Sequence, residues 1–367
     1  MAPTPRPGVL QIARYIPGSH KADGGQRRLR AILSANENPL GASPRAVQAL
    51  RDMAETVNRY PEGGATLLRQ ALAKHYGLDA ERIVCGNGSD ELLALLVLAF
   101  AGPGDEVLYS QYGFLVYPIA AKANGATPVA VPEKNYRADV DAIIERAGPK
   151  TKVVFLANPN NPTGSVLTRE EVQRLADGLP KHALLVIDAA YAEYVARNDY
   201  SPGIELVESR DNVVMTRTFS KIYGLAGLRV GWAYCPAGVA DALNRVRGPF
   251  NVNAAAQAAA VAALQDVAFA DGTRTHNDIW RAWLSEKLGS LGLHVFPSVA
   301  NFVLVRFAAG EALGAPAADA YLQARGIVPR RMEPYGLPDC LRITVGTEDE
   351  CRATVAALAD FLAGRPA

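Results

Sequence analysis

The sequence predicts an α/β protein, a large domain built on a mostly parallel sheet followed by a small α+β domain, and three observations predict it. Three short apolar runs end in turn or polar signals. Lys152-Val-Val-Phe-Leu-Ala157 runs into Asn158-Pro-Asn-Asn-Pro-Thr-Gly164, Ala183-Leu-Leu-Val-Ile187 into Asp188-Ala-Ala-Tyr191, and Asn212-Val-Val-Met215 into residues 216–231. Continuous apolar runs of this length fit strands buried on both faces of a parallel sheet. Residues 115–150 read as a crossover helix, a strand and another helix, the alternation such a sheet requires. Beyond about residue 290 the pattern changes to short strands mixed with helices, which reads as a separate small α+β unit.

Bulk properties narrow the function classes. A chain of 367 residues is long enough for two domains, each with its own core. Apolar residues make up 49 %, charged residues 20 %, and the formal net charge is +1, so neither nucleic acid nor a membrane surface is expected as a partner. Cys85, Cys235, Cys340 and Cys351 are scattered, with no close-spaced pair and no histidine in a metal-ligand pattern. Reduced, mostly buried thiols and no metal are expected. The amino terminus is Pro-rich without an apolar core for a signal peptide. The longest apolar run, Leu92 to Ala101, is half the ~20 residues a membrane span needs. A cytoplasmic location is expected.

Taken in order, residues 1–30 show no strong helical period and read as an arm lying over the body, with a basic cluster (Lys21, Arg27, Arg28, Arg30) as a solvated face. Asn36-Glu-Asn-Pro-Leu-Gly41 is a turn leading to a helix capped by Ser43 and opened by Pro44. A loop through Tyr60 follows, then a helix from Thr66 stopped by Gly77. Ile83-Val-Cys85 is a strand, and Gly86-Asn-Gly88 a turn into a helix starting at Ser89-Asp90. Such a helix start offers free N–H groups to a phosphate, although Ser-Asp-Glu is equally a plain cap. Glu106–Ser110 and Thr127–Val131 are strands, with Tyr112 in the intervening loop. Residues 229–234 form a further strand. Residues 238 to about 290 are helical, interrupted at Pro249, and suit a bridge between domains. The resulting division is an arm (1–30), a large domain (31–245) and a small domain (246–367) packed with the arm.

The chemistry concentrates where the three apolar runs end. Ligands of parallel sheets bind just outside the carboxyl ends of the strands, so Asn161, Asp188 and Lys221 can converge on one crevice. Lys221 stands behind two hydroxyls, Thr218 and Ser220, and ahead of Arg229. A lysine amine can condense with an aldehyde, and hydroxyls with an arginine can hold a phosphate. Pyridoxal 5′-phosphate is both an aldehyde and a phosphate ester. Asp188 would pair with its protonated ring nitrogen, and Asn161 and Tyr191 with its phenolic oxygen. Arg342, in the middle of the apolar Leu341–Val345 run, needs an anion. No histidine sits with a nucleophile in a hydrolase-like arrangement.

The motifs Asn-Pro-x-x-Pro-Thr-Gly, Asp-x-x-Tyr and Ser-Lys-x-x-x-Leu-x-Gly-x-Arg-x-Gly resemble those of the class I/II aminotransferases of the fold type I pyridoxal-phosphate enzymes, over nearly the whole chain. The resemblance implies a seven-stranded large-domain sheet and a homodimer in which Tyr60 reaches the cofactor phosphate of the neighbouring subunit. It implies phosphate binding by Ser89 and Asp90, stacking of Tyr112 on the cofactor ring, and Tyr15 near the substrate. By spacing alone Tyr15, Tyr60 and Tyr112 are packing residues. The main carboxylate-binding arginine corresponds to Arg342 and a second one to Arg330, with Arg331 beside it as the alternative. The implied reaction is transamination with 2-oxoglutarate as acceptor. Within the family, Tyr15-Ile-Pro-Gly18, residues 34–41, Arg59-Tyr-Pro-Glu62 and residues 340–346 resemble the members that use L-histidinol phosphate, and the resemblance implies that donor, in histidine biosynthesis. An aromatic amino acid is the alternative, and decarboxylation of threonine phosphate a more remote one. A non-catalytic regulator on the same fold would carry an added DNA-binding domain, for which about thirty residues before Ser34 leave no room.

Overall fold

The computed structural model describes residues 3–18, 29–308, 310 and 312–365; Lys21, Arg27 and Arg28 lie outside them. The arm contains a short helix, α1 (Pro7–Leu10), where no period announced one. It rests on the large domain through Arg6, whose guanidinium donates to Ala123 O, and through Lys122 Nζ, which donates to Gln11 O (3.3 Å). Strand β1 (Ala31–Ile32) follows.

Helix α2 (Pro44–Met53) begins as its sequence directs, with the Ser43 side chain accepting from Ala46 N–H and Pro44 at the first turn. Helix α3 (Thr66–Tyr76) stops at Gly77, which takes φ 70°. Then come β2 (Ile83–Gly86), α4 (Ser89–Phe100), β3 (Glu106–Ser110), α5 (Val116–Ala123), β4 (Thr127–Val131), α6 (Val140–Arg146), β5 (Thr151–Ala157), α7 (Arg169–Gly178), β6 (Leu184–Asp188), α8 (Ile204–Ser209), β7 (Val213–Thr218) and β8 (Gly231–Tyr234). Helix α7 carries a complete capping box between Thr168 and Glu171.

The seven strands β2 to β8 form one sheet in the order β2-β8-β7-β6-β5-β3-β4, with β8 alone antiparallel to its neighbours. Its strands are apolar on both faces, as the unbroken runs require. Val153, Phe155, Val186 and Val214 pack into the core on one side, and Val154, Leu156, Ile187 and Met215 into the core on the other. From β3 the chain runs one way to β4 and the other way to β5, β6 and β7. A crevice therefore opens at the carboxyl ends of the central strands.

Helices α9 (Ala237–Val246), α10 (Ala254–Gln265) and α11 (Val267–Ser290) follow, with Pro249 in the first break. Strands β9 (His294–Val295) and β10 (Phe302–Arg306), helix α12 (Ala315–Ala324), strands β11 (Ile327–Val328), β12 (Arg330–Arg331) and β13 (Cys340–Thr344), and helix α13 (Glu348–Leu362) complete the chain. β12-β13-β10-β9 is an antiparallel sheet with its own core, containing Leu284, Val303, Leu322, Ile343 and Leu358. β1 pairs in parallel with β11, Ala31 opposite Ile327, so the chain entering the large domain is bound to the small one. All four cysteines are free and buried. No helix among the described residues is long and apolar enough to cross a membrane.

Candidate active site

The ends of β5, β6 and β7 and the start of α4 surround a cavity of about 240 Å³ that also receives residues from β12, β13 and the arm. Lys221 lies three residues past β7, and its Nζ donates to Ala35 O at 3.1 Å. Burial, and next the positive charge of Arg342, lower the pKa of this amine to about 8. Asp188, the last residue of β6, is buried and accepts from the Tyr117 hydroxyl of α5 (2.8 Å) and from Thr216 Oγ1 (3.3 Å). Burial lifts its pKa to about 6 against the pull of those donors. Tyr191, also buried, accepts from Asn36 Nδ2 at 2.9 Å, and burial raises its phenol to about 12. Asn36 holds φ 56° and is fixed from the other side by Thr344 Oγ1, which donates to its Oδ1 at 3.2 Å.

The second wall is cationic. Arg229 donates to Ser220 Oγ (3.2 Å), Ala226 O (3.2 Å) and Asp90 Oδ2 (3.3 Å). It lies against Gly88, the residue before α4. A Cβ on Gly88 would come within 2.4 Å of Arg229 Nη2, at a φ of 82° that side chains rarely adopt. Gly88 caps α4 without a side chain, so N–H groups of the first turn have no side-chain acceptor from the cap. Ser89, Asp90, Thr218 and Ser220 all line this end of the cavity.

The third wall belongs to the small domain. Arg342 is buried in β13 and donates to Asn161 Oδ1 (2.5 Å) and Ser34 O (2.6 Å); its Nε has no partner. Arg330, opposite Arg342 in the β12–β13 ladder, lines the cavity and donates to Ile16 O at 2.5 Å. Neither arginine makes an ion pair with a described residue. Arg331 points elsewhere and pairs with Glu333 at 2.9 Å, because successive strand residues face opposite sides. Arg330 is therefore the cavity arginine of the two. Tyr15 also lines this wall.

Two expected residues do not stand with the others. Tyr112 is corrected: it stacks on Tyr136 (ring centroids 5.5 Å apart) outside the cavity, and Phe114 lines the cavity instead. Gly113 between them is tightly placed, since a Cβ there would lie 2.9 Å from Ser110 O, and the turn sends the two aromatics to different neighbours. Tyr60 does not line the cavity of its own chain; it is 83 % exposed and stacks on Phe250 at 4.8 Å. Asn36, Phe114, Tyr117 and Thr216 join the site without having been expected there. The Asn-Glu-Asn turn was a usable signal for Asn36, and a second aromatic for Phe114. Tyr117 in a helix and Thr216 in a strand carried none.

The residues present fit pyridoxal phosphate. A buried carboxylate, Asp188, stands in the cavity wall with no cation among the groups that act on it most strongly. A positively charged ring nitrogen would supply that cation. A lysine with a depressed pKa suits an aldehyde, and an uncapped helix start with Arg229, Ser220 and Thr218 suits a phosphate.

Comparison with known proteins agrees with this chemistry. The family model described as aminotransferase class I and II matches residues 31–358. A histidinol-phosphate aminotransferase from Paramagnetospirillum magneticum is 58 % identical over 98 % of this chain and 99 % of its own. One from Rhodospirillum centenum is 57 % identical over 99 % of both. The crystal structure of histidinol-phosphate aminotransferase from Sinorhizobium meliloti in complex with pyridoxal-5′-phosphate superposes with a TM-score of 0.90, at 31 % identity and 99 % coverage of each chain. A match of this extent, on a site of this composition, settles the grouping: the chain belongs to the class I and II aminotransferases.

Proposed function

We propose that this chain is a pyridoxal-phosphate-dependent aminotransferase that takes the amino group of L-histidinol phosphate and passes it to 2-oxoglutarate, in histidine biosynthesis. The observation that carries the donor is the pair Arg330 and Arg342, two arginines without a carboxylate partner among the described residues, facing the same cavity as Lys221. Histidinol phosphate brings a phosphate and glutamate a side-chain carboxylate, and an arginine fork accepts either. The relatives at 57–58 % identity carry the same activity in their names.

Pyridoxal phosphate, when bound, supplies an electron sink for charge developing at the substrate carbon that bears the amine. Ser89, Asp90, Thr218, Ser220 and Arg229 would hold its phosphate end, and Asp188 its ring nitrogen. Asn161 and Tyr191 would hold its phenolic oxygen, and Phe114 supplies an aromatic face. Lys221 would hold the cofactor by its amine, and that amine would carry the proton from the substrate carbon. Asn36 orients Tyr191, Tyr117 and Thr216 orient Asp188, and Arg342 with Arg330 and Tyr15 sets the substrate's distance from Lys221.

The test is a single half-reaction. The yellow cofactor-loaded enzyme is mixed separately with L-histidinol phosphate, L-phenylalanine and threonine phosphate. Rapid bleaching by histidinol phosphate alone is expected. Faster bleaching by phenylalanine would move the enzyme to aromatic substrates, and carbon dioxide from threonine phosphate without bleaching would make it a decarboxylase. In the same assay Arg342→Ala should need at least about 30-fold more histidinol phosphate for half-maximal rate, the loss expected from truncating a buried charge pair.

The same reading makes the active unit a dimer. Its support is the exposure of three large apolar side chains within one short stretch of chain, Val57 (75 %), Tyr60 (83 %) and Leu67 (74 %). A second copy covering it would bring Tyr60 toward the neighbouring cofactor phosphate. Sedimentation of the purified protein at the mass of two chains is expected; a single-chain mass for the active enzyme would reject the shared site. On this reading the large domain spans 31–245 and the small one 246–367.

A further inference from the structure

Glu133 lies two residues past β4 and has no part in the chemistry above. Its N–H donates to Gln111 Oε1 at 3.2 Å, and Gln111 N–H donates to Val131 O at 2.7 Å. Its own Oε1 accepts from Tyr112 N–H (3.2 Å) and from Asn160 Nδ2 (3.4 Å). One carboxyl group thereby ties together the loops after β3, β4 and β5. Phe114 stands two residues beyond Tyr112 and Asn161 one beyond Asn160, and both line the cavity.

The hydrogen bonds in this cluster do not balance. Glu133 Oε2 and Asn160 Oδ1 are both shut from solvent and both without a partner. While Glu133 is ionised both are acceptors, and an unmet buried acceptor costs about 1–3 kcal/mol. A proton on Oε2 would turn that oxygen into a donor, and Asn160, whose Nδ2 already reaches Oε1, carries the unmet acceptor. The surroundings favour that proton. From the β3 side Glu133 meets Tyr112 and the Ser110 hydroxyl; from the β5 side it meets Asn160, whose Nδ2 also donates to Thr163 Oγ1. On its own loop Lys134 is exposed and Tyr136 is stacked on Tyr112. Arg306 of the small domain is engaged by Tyr136 and by Asp339 (2.9 Å). Among the described residues no cation faces the carboxyl, and burial lifts its pKa to about 7 against the Tyr112 N–H and the Ser110 hydroxyl.

We propose that Glu133 is a positioning residue held as a neutral acid, its Oε2–H donating to Asn160 Oδ1, so that one proton keeps Phe114 and Asn161 in register over the cofactor site. This rests on the reading of the cavity as that site. Glu133→Gln mimics the neutral acid and should keep kcat/KM within about threefold of the parent. Glu133→Ala should lose at least tenfold in kcat/KM and bind pyridoxal phosphate more weakly.

The second readout needs no activity. A folded-state pKa near 7 lies above the ordinary value of 4.5, so between the two the native form binds more protons than the unfolded one. The parent therefore loses stability as pH rises through that window, and the glutamine variant does not. The melting midpoint of cofactor-free Glu133→Gln should climb relative to the parent from about pH 5 to about pH 8. A glutamine variant as impaired as the alanine one, or a midpoint difference that does not change with pH, overturns the proposal. The melting comparison stands whatever the amino donor, so its failure is distinct from failure of the substrate assignment. If the alanine variant does not fold, the glutamine variant decides alone.

Discussion

Lys221→Ala is expected to lose at least about a thousandfold in kcat for steady-state transamination, the combined loss of a covalent anchor and a general base. The cofactor should still bind, because the groups expected to hold its phosphate and ring remain. Absorbance should therefore show bound cofactor without its lysine-linked band. The depressed pKa adds a dependence on pH. The neutral amine is the form that attacks an aldehyde, and below a pKa of about 8 its fraction grows roughly tenfold per pH unit. Uptake of pyridoxal phosphate by cofactor-free parent protein should speed up to about pH 8 and level off above it. Ordinary turnover by the alanine variant would reject Lys221 as the reactive group. Uptake still accelerating well above pH 9 would mean that burial does not depress the amine.

Asp188→Asn should act in opposite directions on the loaded and the cofactor-free protein. In the loaded enzyme it removes the anion expected to keep the ring nitrogen charged, and kcat should fall roughly 100- to 1,000-fold, the usual scale for one preorganised electrostatic partner. In the cofactor-free protein it removes a buried charge that no cation among the described residues offsets. The folded pKa of about 6 lies above the ordinary 3.8, so the native form holds its proton longer and stability is lost as pH rises between these values. Above about pH 6 the cost is complete, at most about 3 kcal/mol from 1.4 kcal/mol per unit. The asparagine variant should melt above the parent near pH 7.5 and lose that advantage near pH 4. A parent that is the more stable at pH 7.5 would show the carboxylate already compensated by the protein. The site would then not be built around a cationic ring.

Both residues were legible because parallel strands hide their lengths and expose their ends. An unbroken apolar run followed by Asp188 or by the Thr218–Lys221 segment can place those side chains almost nowhere but the crevice. The same logic failed for residues whose role depends on which way a loop turns. Tyr112 and Phe114 are both aromatic and two apart, and only the packing of Gly113 and Tyr136 sends the first outward and the second in. Arg330 and Arg331 are adjacent, and a two-residue strand has no register until β13 supplies one. Tyr117 was hidden differently, since a tyrosine in an apolar helix reads as core; its ring is core, stacked on Phe155 at 4.4 Å, while its hydroxyl alone reaches Asp188. The short helix α1 had too few residues to show a period at all.

The carbonyls of Ser34 and Ala35 are consecutive. The first takes a hydrogen bond from Arg342 and the second from Lys221. One residue earlier, Leu33 is tied to the small domain by its N–H to Val328 O (2.8 Å) and by its carbonyl, which accepts from Thr344 N–H (3.0 Å). The side chain expected to meet the substrate's anion and the side chain expected to react are thus anchored on neighbouring peptide groups. Three successive residues, Leu33 to Ala35, therefore serve as one ruler, setting the small domain, the arginine and the lysine at fixed spacings from one another.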